Sequence, residues 1–145
     1  MIMNDDELRQ AMSALDNYQE QLEAITRQVR LLQASRDETV RAQRTFQALA
    51  AAKPGDEILV PVGASSFVNV LVTDHQKAVV GIGNKVSVEK SLADASQFMD
   101  TTGQEIAEAL NKAIAAMQEV QEYTQELAAA VQDEYQARKQ GAAPQ

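Results

Sequence analysis

Apolar residues recur every three or four positions through residues 4–52 and 91–140, and alternate with polar ones through residues 57–90. In the first stretch Leu8, Leu15, Leu22 and Val29 stand seven residues apart. Ala11, Tyr18, Ile25 and Leu32 follow each of them by three. That spacing is the a/d seam of a coiled-coil helix. It weakens at Arg36, Thr39 and Gln43 before Phe46 restores it. Asn4 and Asp5 can cap the start, and the acids from Asp5 to Glu7 suit a helix N-terminus. Pro54-Gly55 stops the helix.

The second stretch repeats the pattern. Met99, Ile106, Ala113, Val120 and Leu127 form one series, and Leu110, Met117, Thr124 and Val131 form the other. Ser91 with Asp94 resembles a capping box. Gly103 is a weak point, costing about 1 kcal/mol relative to Ala inside a helix. The tail, residues 141–145, is expected to fray.

Between the helices, residues 57–62, 67–72, 77–82 and 86–89 read as four short strands separated by turn residues, hence two consecutive hairpins. Pro61 cannot donate to a ladder and marks an edge or a bulge. A centre of this kind turns the chain around, so the two helices pair antiparallel. One register sets Tyr18 opposite Leu127, Ile25 opposite Val120, Leu32 opposite Ala113 and Phe46 opposite Met99. It also brings Arg27 near Glu119 and Arg44 near Asp100. In it the weak seam at Arg36, Thr39 and Gln43 faces Leu110, Ile106 and Gly103, a place where the pair can bend.

Isolated hairpins are marginal in water, and their open edges invite other chains. Leu59, Val60, Val62, Phe67, Val68, Val70, Val79, Val80, Ile82, Val86 and Val88 are more apolar surface than one small sheet hides. These strands are therefore expected to assemble with other subunits into joined sheets or a barrel. The expected fold class is α+β: one domain over residues 1–145, a long antiparallel coiled-coil hairpin carrying two central β-hairpins of an oligomeric β-barrel platform.

Where the helices begin and end, the chain is again apolar. Ile2, Met3, Leu8 and Met12 lie on one arm, with Val131 and Tyr135 on the other. Methionine adapts to varied apolar surfaces, so this tip is a candidate for holding exposed apolar segments of another protein.

Composition narrows the chemistry. The chain has 145 residues, no Cys, no Trp and only 4% aromatics. Disulfides and thiolate metal sites are excluded. No apolar run approaches the roughly 20 residues of a membrane span, and no signal peptide is recognisable, so a soluble cytoplasmic protein is expected. Net charge is −8. Residues 91–145 hold nine acids against three bases, while residues 4–52 hold eight acids against six arginines. Such a balance disfavours nucleic acid. His75 is the only histidine and sits in a turn beside Asp74. Gly81-Ile82-Gly83-Asn84-Lys85 lacks the spacing and the following helix of a phosphate loop. No catalytic, metal or cofactor site is expected, and the chain does not read as an enzyme.

One family resemblance unites these features. Leu59-Val60-Pro61-Val62-Gly63 with Phe67, and Gly81 and Gly83 with Val88-Glu89-Lys90, resemble the two hairpin motifs of the prefoldin family, alpha type. The flanking heptads extend the likeness to the whole chain. Ser65, where Gly is usual, and Asn84 depart from the pattern. The resemblance implies a hexamer of two alpha and four beta subunits. It also implies ATP-independent capture of unfolded proteins at the coiled-coil tips, with delivery to a group II chaperonin. The rival reading is a structural coiled-coil scaffold or assembly adaptor that binds no client.

Overall fold

The computed structural model describes residues 3–141. Helix α1, Asp5–Ala51, and helix α2, Leu92–Gly141, bracket strands β1 Glu57–Gly63, β2 Ser66–Leu71, β3 Lys77–Gly83 and β4 Val86–Ser91. The fold is α+β, with two long helices packed as a hairpin and two β-hairpins between them in sequence. Part of the expected fraying tail, residues 142–145, lies outside the described residues.

Side chains set the helix ends. Asn4 Oδ1 accepts the Glu7 amide at 2.8 Å while its Nδ2 donates to Glu7 Oε1 at 3.2 Å. One of the amides left over at the start of α1 is thus satisfied, and the two side chains are tied together. Ser91 Oγ accepts the Asp94 amide at 3.0 Å and opens α2. After α1 the Lys53 amide donates to Asp56 Oδ2 at 2.9 Å, across a turn in which Gly55 takes a φ of 92°.

The chain forms two compact units. In the first, residues 3–33 pack against 108–141. Its buried centre is Val29, Leu110 and Ala113, with Ile25, Leu32, Ile114 and Met117 packed around it. All seven except Ile114 belong to the heptad series, so the apolar stripe did form the interface. Partners descend along α2 as α1 ascends: Asp5 meets Arg138, Met12 meets Tyr135, Tyr18 meets Tyr123 and Thr26 meets Met117. The helices are therefore antiparallel. Leu32 and Ala113 share the cluster as the expected register requires. The Tyr18 ring stacks on Tyr123 at 6.1 Å between centroids, and Tyr18 also lines a concavity with the expected Leu127.

In the second unit, residues 34–107, polar residues enter the seam between the helical segments. Thr39 is buried and its hydroxyl donates to the Ser35 carbonyl at 2.8 Å. Its methyl lies against Gly103. Beside it, Arg36, Val40, Gln43, Met99, Asp100, Gly103, Gln104 and Ala107 line a cavity of about 250 Å³. Gln43 Nε2 donates to Asp100 Oδ1 at 3.3 Å. The ion pairs expected at Arg27–Glu119 and Arg44–Asp100 are not among those of the described residues.

The same unit holds two separate two-stranded sheets, β1 with β2 and β3 with β4, both antiparallel. They are built alike. Each has a register shift two residues before its turn, at Pro61/Gly63 and at Gly81/Gly83. Each then closes through two residues of positive φ, Ala64-Ser65 and Asn84-Lys85. Two-residue loops of this conformation match the twist of paired strands. Pro61 therefore sits at a bulge, where its missing amide costs little. Main-chain bonds tie the hairpins to their flanks: Gly55 N to Val72 O at 2.7 Å, Val72 N to Asp56 O at 2.8 Å and Leu92 N to Gln76 O at 3.0 Å.

Candidate functional site

The first candidate surface lies in the first unit, where α1 begins and α2 ends. Met12 is 41% exposed and Tyr135 47% exposed, and the Tyr135 hydroxyl lies 3.1 Å from Met12 Sδ. They form one adjacent apolar pair open to solvent. Met3 is half-buried. Leu8 and Val131, expected on this surface, are buried instead. Both are members of the heptad series, so they face the opposing helix and floor the tip rather than display it. Ile2, the sixth expected residue, lies outside the described residues.

The tip also holds a charged cluster that the apolar pattern does not announce. Arg138 Nη1 donates to Asp5 Oδ1 at 2.7 Å, its Nε to Glu134 Oε1 at 3.0 Å and its Nη2 to the Met3 carbonyl at 2.9 Å. One guanidinium thus ties the chain before α1 to the last turns of α2. Glu134 is only 2% exposed, and its Oε2 has no hydrogen-bond partner among the described residues. The hydrogen bond from Arg138, with a smaller contribution from the Met3 backbone, lowers the Glu134 carboxyl against the opposing cost of burial. The same guanidinium, by hydrogen bond and by charge, lowers the Asp5 carboxyl. A signal for this cluster exists in the heptads. Seven residues past Leu127 is Glu134, and seven past Val131 is Arg138. The seam continues, with charges in place of aliphatic groups.

The second candidate surface is the pair of hairpins. Phe67 is 60% exposed and Val79 71% exposed, and Leu59, Val60, Val62, Val68, Val70, Ile82 and Val86 are exposed as well. Two expected assembly residues depart from this. Val80 is 2% exposed and Val88, its partner across β3 and β4, is half-buried. Val80 belongs to the chain's own core, since side chains alternate between faces and Val79 takes the outward one. Val60 and Val70 line a concavity of about 290 Å³ with Leu49, Leu92, His75 and Lys77. His75 is exposed, and its amide donates to Thr73 Oγ1 at 3.3 Å. No group of acids or histidines suited to a metal ion occurs among the described residues, and none of their helices is long and apolar enough to cross a membrane.

Comparison with known proteins places this architecture. The family described as "Prefoldin subunit" matches residues 18–137. Prefoldin subunit alpha of Pyrococcus horikoshii is 30% identical over 136 residues, covering 92% of this chain and 90% of that protein. Prefoldin subunit alpha of Methanopyrus kandleri is 38% identical over 79 residues, 54% of this chain and half the length of that relative. The cryo-EM structure of filamentous PFD from Methanocaldococcus jannaschii covers 84% of this chain and 98% of its own. It superposes with a TM-score of 0.62 at 23% identity, a likeness of fold.

Proposed function

The chain belongs to the prefoldin family of non-enzymatic chaperone subunits, and on that premise we propose that its tip captures unfolded proteins and hands them to a group II chaperonin without ATP hydrolysis. The observation that carries client capture is the exposed Met12–Tyr135 pair. An unfolded chain displays apolar segments that a native protein hides, and a flexible thioether beside an amphipathic ring can meet many of them. One such patch binds weakly. Several presented on one assembly raise the local concentration of sites and supply avidity without a deep pocket.

The hairpins support the assembly this requires. Their exposed Phe67, Val62, Leu59 and Val79 form apolar surface on two-stranded sheets that are marginal alone. In this reading they join beta-type subunits, two alpha with four beta, and the strands close into a shared β-barrel platform. The complex acts in the cytoplasm.

The test is to mix the chain with a beta-type subunit, measure the mass of the product, and follow aggregation of a denatured client with and without a group II chaperonin. The expected result is a six-subunit complex that suppresses aggregation stoichiometrically and releases the client to the chaperonin. A complex of that mass with no effect on aggregation would instead favour a scaffold.

A further inference from the structure

Two members of the charged cluster at the tip, Glu134 and Arg138, occupy positions where the heptads call for aliphatic side chains, and Asp5 meets Arg138 from the exposed start of α1. Burying charge in a seam is seldom the most stable choice, because desolvation offsets much of the mutual attraction, and apolar residues of similar size often do better. What a charged layer offers is a joint that parts readily. Ions leaving one another gain water, whereas parted leucines lose contacts and gain only exposed surface. Glu134 sharpens this, since its carboxylate is buried when the layer is closed and opening gives it water. Two further facts show that the layer joins different parts of the chain. Arg138 reaches Asp5 on α1 and the carbonyl of Met3, which precedes α1. The next seam residues inward are Val131 and, on α1, Leu8, both buried.

We propose that Asp5, Glu134 and Arg138 form a clasp that holds the tip shut over Leu8 and Val131, so that its opening sets how much apolar surface the tip presents. The inference deepens, and rests on, the reading of the tip as the client surface. Closed, the tip offers Met12 and Tyr135. Open, it adds two aliphatic side chains whose burial in a client is favourable. Arg138 is the positioning residue, because every charged contact in the clasp passes through its guanidinium.

The experiment uses the full chain assembled with a beta-type subunit. In Arg138→Gln, amide exchange across residues 5–12 is expected to quicken about tenfold through loss of charge-assisted hydrogen bonds, with more binding of an apolar fluorescent dye and unchanged exchange around Val29. Asp5→Asn, an exposed change that leaves Glu134 paired, should move both readouts the same way by less. The double variant Glu134→Leu with Arg138→Leu completes the aliphatic seam and should slow exchange below that of the parent and reduce dye binding. Unaltered exchange across residues 5–12 in Arg138→Gln, or faster exchange in the double leucine variant, would overturn the clasp. Client suppression measured on the same variants is read separately. If exchange and dye binding respond as stated while suppression does not follow them, the clasp stands and the tip is not the client surface.

Discussion

Ala64 and Ser65 both adopt the left-handed backbone region, at φ values of 50° and 57°. That region costs a residue with a Cβ about 1–2 kcal/mol relative to its ordinary conformations, and the turn between β1 and β2 carries the cost twice. Replacing either residue with Gly relieves it, less the entropy that Gly adds to the unfolded chain. A net gain of about 0.5–1 kcal/mol is expected for each, read as a higher midpoint in thermal unfolding of the assembled protein. A lower midpoint would mean that the turn is not strained. The charged residues at the tip give a second expectation at this scale. Asp5 and Glu134 have carboxyl groups lowered by Arg138. A carboxyl depressed on folding stabilises above its unfolded pKa and loses that contribution as pH falls through the folded one. Protection factors for residues 5–12, corrected for intrinsic exchange, should therefore be constant near neutrality and fall below about pH 4. Constant protection down to the acid limit of folding would contradict the assignment.

At the scale of elements, the weak stretch of the helical pair has a specific cause. Thr39 spends its hydroxyl on the preceding turn, and Gly103 opposes its methyl beside an open cavity. A Cβ added at Gly103 would meet Thr39 Cγ2 at 3.5 Å, an ordinary contact. Gly103→Ala should therefore raise stability by about 1 kcal/mol through helix propensity and slow amide exchange between Thr39 and Gln43. Unchanged exchange there would remove the case for a bend at this point. Much of this level was legible in the amino-acid pattern. The heptads marked both helices, Asn4 and Ser91 marked their caps, and Pro61 marked an edge or a bulge, of which the bulge is what forms. The remainder was hidden for physical reasons. Val79 and Val80 are both apolar, so alternation alone cannot say which faces inward. Tyr123 lies off both heptad series, so its stacking on Tyr18 is invisible to heptad spacing. Glu134 and Arg138 fall on the seam by count, but charged residues end an apolar pattern before they are seen to continue it.

For the molecule as a whole, the proposed function divides two tasks between two surfaces: the exposed strands would assemble, and the tip would hold clients. Each can be removed alone. Phe67→Asp with Val79→Asp places charge on the outward hairpin faces and should prevent assembly with a beta-type subunit, as buried unpaired charge costs several kcal/mol, while the helical content of the isolated chain persists. Size-exclusion elution at the mass of the parent complex would show that these faces do not assemble. The most direct test of the central claim is aggregation suppression by a complex carrying Met12→Ser and Tyr135→Ser, two exposed changes at the tip that leave the seam intact. The account expects a complex of parental mass that protects a denatured client far less, needing about tenfold more to match the parent, as avidity magnifies a small loss at each tip. Full protection by that complex at the parental ratio would contradict it.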